Sequence, residues 1–354
     1  MAYGYCRTIT IDHTKVPGNL SDHPFLFSST ANDLRTVANG GHVTSASGYD
    51  IVFSPNVDGS SRYAHEIEKY VAATGETIMH VKIPWLSSTV DTVFYIVYGD
   101  IDVTTSQQDI AGVWDSAFEL VLHLKEASAI TCLDSTSNNN DVTAAAGSPG
   151  YQQTGQIGDC VEFDGVDERL NIADSASLDV TSGLTIEAWV KQDAARTEFI
   201  LSKRVAGSDN AYFLSTDGSG QPGLTVLIGG ATKATPKNSA LGTAALRYVV
   251  GTYTGAALFL YLDGVQDATL GSVTGSIDTT VDPVRLAWGY NDDYCWTGKI
   301  DEVRISSTGR STDYITATYN NQNSPSTFYD LQSDEQIARS PLSGNPFASC
   351  LGVV

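Results

Sequence analysis

Apolar and polar residues alternate through most of the chain, in short runs cut by Gly, Pro, Asn and Asp. A period of two is the spacing of a strand with one buried face, because successive side chains point to opposite sides of a sheet. Arg7-Thr8-Ile9-Thr10-Ile11 alternates in this way, and Val16-Pro17-Gly18-Asn19 supplies the turn that follows. Phe25-Leu26-Phe27, Asp50-Ile51-Val52-Phe53, His65-Glu66-Ile67-Glu68-Lys69-Tyr70 and Thr77 to Pro84 read as further strands. Thr92 to Gly99 is the most apolar run of this half and is expected at the centre of a sheet. Short strands with regular turns predict a β-sandwich over residues 1–113.

A polar, turn-rich connector, Thr104 to Asp109, leads to the strand Phe118 to Leu124. Beyond it, strands are expected near 160–164, 169–173, 184–191, 198–203, 211–216, 223–229, 246–254, 257–263, 284–289 and 299–306. Leu258 to Leu270 reads as a hairpin turning at Asp263-Gly264. A short helix is expected after Ser311, a good N-cap, with Tyr314, Ile315 and Thr318 on one face. With no long flexible linker in view, the units 1–113 and 114–330 are expected to pack together. Residues 331–354 form a third segment, broken by Pro341, Gly344 and Pro346 but apolar from Phe347 to Val354. An arm this apolar is expected to dock, on the first unit or on a neighbouring subunit.

Within the last expected strand, Gly298-Lys299-Ile300-Asp301-Glu302-Val303-Arg304-Ile305 places two adjacent carboxylates in an apolar run. Neighbouring strand residues face opposite ways, so one carboxylate should point inward and the other to solvent. An inward carboxylate is costly unless a cation or several donors satisfy it. Asp301 is therefore either a ligand of calcium or a residue hydrogen-bonded to backbone.

This stretch is the last of an ordered set. Phe163-Asp164-Gly165-Val166-Asp167-Glu168, Leu184 to Val190, Leu260-Tyr261-Leu262-Asp263-Gly264 and Gly298 to Ile305 resemble, in that order, the laminin-G-like, concanavalin A-like jelly-roll family over about 115–330. Arg310 to Asn321 resembles the family's closing short helix. Ile11 to Thr14, Gly48 to Ile51, His65 to Glu68 and Tyr98-Gly99-Asp100 resemble a bacterial domain family of unknown function that often precedes such modules. The fold class implied is all-β, two tandem β-sandwiches, the second a concanavalin A-like jelly roll. The resemblance also implies one structural Ca2+, held between an early turn and a late-strand Asp. Asp164, Gly165 and Asp301 are the matching positions here, with Gly165 permitting the sharp bend that aims carbonyls inward.

Composition narrows the partners. The net charge is −21, with only 20 Lys and Arg scattered along the chain, which excludes a nucleic-acid backbone as ligand. No run approaches the ~20 apolar residues of a membrane-spanning helix. Met1 to Cys6 lacks the basic start and apolar core of a secretory leader. A protein made inside a cell and released with a virion fits that start, as does one whose leader has been removed. Of five Cys, Cys132 and Cys160 flank a 27-residue stretch; bridged, they would add roughly 3–4 kcal/mol, and otherwise they are small buried side chains.

Catalytic patterns are absent from the sequence. No Glu-x-Asp-x-x-Glu strand offers a glycosidase's paired carboxylates, and His65-Glu66-Ile67-Glu68 lacks the second His of a zinc-peptidase helix. His13, His23, His42, His65, His80 and His123 show no ligand spacing. Recognition remains. Tyr290-Asn291-Asp292-Asp293-Tyr294-Cys295-Trp296, between two late strands, is either a sugar site, with Tyr290, Asn291, Asp293, Tyr294 and Trp296 as the candidate glycan contacts, or an acidic hairpin turn with Trp296 packed inward. Ser208 to Tyr212 is a second, weaker patch. The sequence thus points to a non-catalytic, surface-displayed recognition protein, on a virion or outside a cell, binding a cell-surface glycan and meeting itself or another structural protein through its arm. The alternatives are a purely structural subunit of an assembly, or an accessory module of a polysaccharide-degrading system.

Overall fold

A computed structural model describes residues 3–128, 132–204, 210–290 and 294–337. Six strands build the first unit: β1 (Tyr5–Ile11), β2 (Leu20–Thr30), β3 (Val52–Ser54), β4 (His65–Val71), β5 (Glu76–Leu86) and β6 (Thr92–Tyr98). A short helix, α1 (Ile110–Val113), leads to the second unit. That unit contains β7 (Phe118–Leu122), β8 (Val142–Ala146), β9 (Gly150–Thr154), β10 (Asp159–Asp164), β11 (Arg169–Ile172), β12 (Leu184–Gln192), β13 (Phe199–Arg204) and β14 (Asn210–Thr216). It continues with β15 (Pro222–Ile228), β16 (Ala231–Ala234), β17 (Arg247–Tyr253), β18 (Leu258–Leu262), β19 (Val265–Leu270), β20 (Val284–Leu286) and β21 (Thr297–Ser306). Two helices, α2 (Thr312–Asn323) and α3 (Pro325–Phe328), and the short strands β22 (Tyr329–Leu331) and β23 (Glu335–Gln336) close the described chain.

The first unit is a sandwich of two antiparallel sheets, β22-β1-β6-β3 with β23 also on β1, and β2-β5-β4. Aromatic side chains from facing strands fill the space between them: Phe25 of β2 meets Phe94 of β6, and Phe27 meets Phe53 of β3. The apolar run at Thr92 lies as β6 between β1 and β3, the internal position its composition predicts.

The second unit is also a sandwich. One sheet runs β19-β18-β17-β12-β21-β10-β9 with β7 on β21, and the other β16-β15-β14-β13-β20-β11-β8. Leu120, Phe163, Ile186, Leu201, Leu214, Leu286, Ile300 and Val303 are among the side chains that fill its interior. The hairpin at Asp263-Gly264 and the Ser311 cap both form, the Ser311 hydroxyl accepting the Tyr314 N–H.

The two units share a core. Trp189, Tyr248, Val250 and Tyr261, on the outer face of the β12 sheet, belong to the same buried cluster as Phe25, Phe27 and Phe94 of the first unit. The sheet is therefore covered on both faces, and β12 is buried almost throughout its length. Helix α2 rests on β2, where the Asn321 amide accepts from the Leu26 N–H at 2.7 Å and donates to the Leu26 carbonyl at 3.0 Å.

This covering corrects one expectation. Asp301 and Glu302 are both buried, at 0% and 1% exposure, because the face expected to meet solvent meets the first unit instead. The arm docks at its start: β22 and β23 add to β1, while residues 338–354 lie outside the described part. Cys132 and Cys160 are buried thiols that are not bridged to each other.

Candidate functional site

The β13 sheet keeps its own outer face, on which Phe213, Arg285 and Asn171 are half-buried while β13 and β15 are buried almost throughout. Ladder register places side chains there. Leu214, Leu201, Leu286 and Leu170 form one row across β14, β13, β20 and β11 and face the core. The adjacent row, Phe213, Ser202, Arg285 and Asn171, must then face outward. Around Phe213 an aromatic group collects. Tyr290 and Tyr294 have ring centroids 4.9 Å apart, and Phe199 presents its ring edge-on to both at 6.2 and 6.1 Å. The Arg204 guanidinium lies over Tyr290 at 4.4 Å and Phe213 at 5.1 Å, and burial pulls its pKa below the ordinary value. Trp288, half-buried, carries Arg285 at 4.7 Å and Arg169 at 5.3 Å from its ring.

The structure thus brings Tyr290 and Tyr294 together on this face. Asn291 and Asp293 lie outside the described residues. Trp296 is corrected: it is 0% exposed, sits in the core cluster, and donates its indole N–H to the Lys299 carbonyl. It immediately precedes β21 and faces the interior, so it contacts no ligand on this face. Tyr212 of the second patch is likewise in the core, its hydroxyl donating to the Leu178 carbonyl.

The expected calcium residues are not brought together. In the β10–β21 ladder Asp164 stands opposite Thr297, four positions from Asp301, a separation of ~13 Å along the strand. The Asp301 carboxyl accepts the N–H groups of Gln156 at 2.8 Å and Ile157 at 3.1 Å, as a strand residue bonded to backbone. Burial pushes its pKa well above the usual carboxylate range, with Glu302 adding to the rise. The register thus keeps Asp301 and Asp164 at separate places on the ladder. At the other end, Asp164 lines a shallow pocket of about 320 Å³ with Glu162, Glu168 and Asp193. Gly165, at φ 76°, takes the turn its sequence position requires.

A titratable cluster that the sequence did not disclose lies between the units. Glu66 pairs with His80 across β4 and β5, and a bulge in β4 between Ile67 and Lys69 turns Glu68 toward the same side. From the second unit, His123 follows β7 and faces Glu302 of β21. Glu302 adopts φ 51° at a second bulge, a conformation uncommon for a residue with a side chain. The His80 and His123 rings stack at 4.5 Å. His80 Nε2 lies 2.9 Å from Glu68 Oε2, and His123 Nδ1 lies 2.6 Å from Glu302 Oε1 and 3.8 Å from Glu68 Oε2. His123 Nε2 faces Glu66 Oε2 at 3.3 Å. Burial pulls the His123 imidazole down, but Glu302 and Glu66 outweigh it and hold the group well above its ordinary pKa. Burial pushes the Glu66 carboxyl up, and His123 more than reverses this, bringing it down to about 2. The His80 imidazole is held below its usual value by burial and by His123.

Residues 164–316 match the family model described as the concanavalin A-like lectin/glucanases superfamily. They form a concanavalin A-like domain. Among solved structures, the binding domain of Paraclostridial Mosquitocidal Protein 1 is similar at 12% identity and a TM-score of 0.48, over 58% of this chain and 52% of that one. Domain 4 of AbnA, a GH43 extracellular arabinanase from Geobacillus stearothermophilus solved with arabinotriose, is similar at 17% identity and a TM-score of 0.46, over 56% of this chain and 96% of that one. The receptor binding domain of botulinum neurotoxin D is similar at 14% identity and a TM-score of 0.45, over 58% of this chain and 53% of that one. The chain spans about half the length of the two toxin domains. No curated protein matches the sequence. Among the described residues no helix is long and apolar enough to cross a membrane.

Proposed function

We propose that this protein is a non-catalytic recognition module whose concanavalin A-like domain binds glycan on the outer face of the β13 sheet. The observation that carries the reading is the group of Tyr290, Tyr294, Phe213 and Arg204 on that face. Aromatic rings offer an apolar surface to the C–H face of a sugar, and a guanidinium held beside them offers donors to its hydroxyls. Tilted rings braced by Phe199 are fixed before ligand arrives, which lowers the entropic cost of binding. The fold itself does not decide the function, since one architecture carries many.

The setting proposed is display on a surface, as a virion decoration or fibre component or on an extracellular protein. Its detection in purified particles or in culture medium would separate these. A glycan array is the direct test of binding, with arabinotriose among the probes. Binding lost in Tyr290→Ala/Tyr294→Ala, with an unchanged melting temperature, is the expected result. An array silent for the parent chain, or a double variant that binds as the parent does, would refute the site. Calcium, if this domain takes it, belongs at the Asp164 turn, where Glu162, Glu168 and Asp193 line the same pocket.

A further inference from the structure

We propose that Glu68, His80, His123 and Glu302 form a buried site for one divalent first-row transition-metal ion, which ties the two units together. Their donor atoms all lie within 4.8 Å of one another, and all four residues are buried. A zinc-like ion with bonds of about 2.0–2.1 Å holds tetrahedral ligand atoms roughly 3.3 Å apart. The observed separations of 2.6, 2.9 and 3.8 Å bracket that value. Two imidazoles and two carboxylates are the donor set of zinc, iron, nickel or cobalt, whereas calcium prefers oxygen alone.

Three further observations point to a ligand. First, Glu68 Oε1 has no hydrogen-bond partner, although the Glu68 side chain is 0% exposed. A carboxyl oxygen left bare in the interior is costly, and a cation beside it removes the cost. Second, carboxylates outnumber the fixed cations: Glu66, Glu68 and Glu302 face Arg304 and, near Glu66, Lys125.

Third, the ligands are held from behind. Glu302 aims Oε1 at the cluster, while Arg304 Nη2 donates to its Oε2 at 2.6 Å. His123 presents Nδ1 inward, and its Nε2 faces Glu66 at 3.3 Å. Glu66 is in turn fixed by the Trp114 indole N–H at 3.1 Å and the Ser135 hydroxyl at 2.7 Å. A carboxylate behind a ligating histidine sets the tautomer that leaves the other nitrogen free to bind. Both Glu68 and Glu302 reach the site through bulges, which re-aim a side chain out of the regular pleat.

Glu68 and His80 come from β4 and β5 on one side, and His123, just after β7, and Glu302 of β21 on the other, so neither unit alone supplies the full donor set. The ion's role is accordingly structural.

The test uses the full chain. It is unfolded in guanidinium and refolded with chelator, with Zn2+ or with Co2+, then freed of loose metal by gel filtration. The expected result is about one ion per folded chain, visible absorption from cobalt in a low-symmetry site, and a higher melting temperature than the chelated sample. His80→Gln/His123→Gln should lower retention by about tenfold or more. Because that variant removes two buried groups, Glu68→Gln serves as a volume-matched second test, with the same loss expected. Folded parent chain holding less than about a tenth of an ion after refolding with either metal would overturn the proposal. Retention unchanged in the double variant and in Glu68→Gln would overturn it equally.

Discussion

His123 and Glu302 lie side by side in the β7–β21 region, with Nδ1 and Oε1 2.6 Å apart and neither side chain more than 2% exposed. This contact belongs to a chain of charges running from Arg304 through Glu302 and His123 to Glu66. Removing one member strands the others away from water. Glu302→Ala leaves the Arg304 guanidinium without its carboxylate and is expected to cost about 3–5 kcal/mol. Urea denaturation of the full chain measures it, and a loss under about 1 kcal/mol would show that the network is not desolvated as described.

The candidate glycan face and the neighbouring core separate cleanly by mutation. Tyr294→Ala removes a half-buried ring and should weaken glycan binding about tenfold with little effect on stability. Trp296→Ala empties a fully buried site and should cost about 3–5 kcal/mol of stability instead. Calorimetric binding and thermal melting of both variants give the two readouts. A Trp296→Ala chain as stable as the parent would contradict its burial.

Asp301 provides a sharper test of its own. Burial raises the pKa of its carboxyl, which accepts two backbone N–H groups. An amide oxygen can accept the same pair, so Asp301→Asn is expected to cost less than about 1 kcal/mol, whereas Asp301→Ala should cost about 2 kcal/mol for the donors left unpaired. Calcium should act alike on Asp301→Asn and the parent. A calcium-dependent stabilisation lost in Asp301→Asn would restore this residue as a ligand.

Acid should destabilise the protein through its buried histidines. Burial pulls the His23 imidazole down to about 3, with Arg304 adding to the effect, and burial holds His65 at about 4. The unfolded groups titrate near 6.5. Below that value the unfolded chain binds protons that the folded chain refuses. Stability from these groups is therefore complete above about pH 6.5 and is lost as pH falls toward 4, by about 1.4 kcal/mol per unit for each. Melting temperatures from pH 7 to pH 4 check this, and His23→Phe should flatten the slope. An equal slope in the variant would assign the acid sensitivity elsewhere.

The legible part of this molecule was the part governed by local periodicity. Alternation marked the strands from Arg7 to Ile305, Asp263-Gly264 marked a hairpin, and Ser311 marked a helix cap, because each depends on residues near in sequence. The β9 strand, Gly150–Thr154, went unread, since its polar Tyr151-Gln152-Gln153 carries no apolar period. Expecting one of Asp301 and Glu302 at solvent failed for a long-range reason: the outer face of their sheet is covered by the first unit. His80 and His123 are 43 positions apart on different units, and no spacing rule connects them. Only the packing of β5 against β7 brings their rings to 4.5 Å. For Trp296 the sequence left two readings open, because aromatic, amide-rich turns and the first inward residues of the next strand share a composition, and the inward one holds.

The arm gives the last prediction. Leu331 pairs with Ile9, and Glu335 and Gln336 pair with Cys6 and Tyr5. Arg7 ties the segment down, its Nε donating to the Gln332 carbonyl at 2.6 Å and its Nη2 to the Leu331 carbonyl at 3.3 Å. The Tyr98 hydroxyl donates to Asp334 at 2.6 Å, and His42 meets the same carboxylate at 2.9 Å. A chain ending at Asp330 loses all of these and exposes the edge of β1, whose unpaired backbone groups then face water or another strand. It should melt several degrees lower than the full chain, and it should show concentration-dependent association by analytical ultracentrifugation. A chain ending at Ile337 keeps the docked strands and should melt above the one ending at Asp330. If the Asp330 truncation melts as the full chain does and stays monodisperse, β23 contributes nothing to the first sheet.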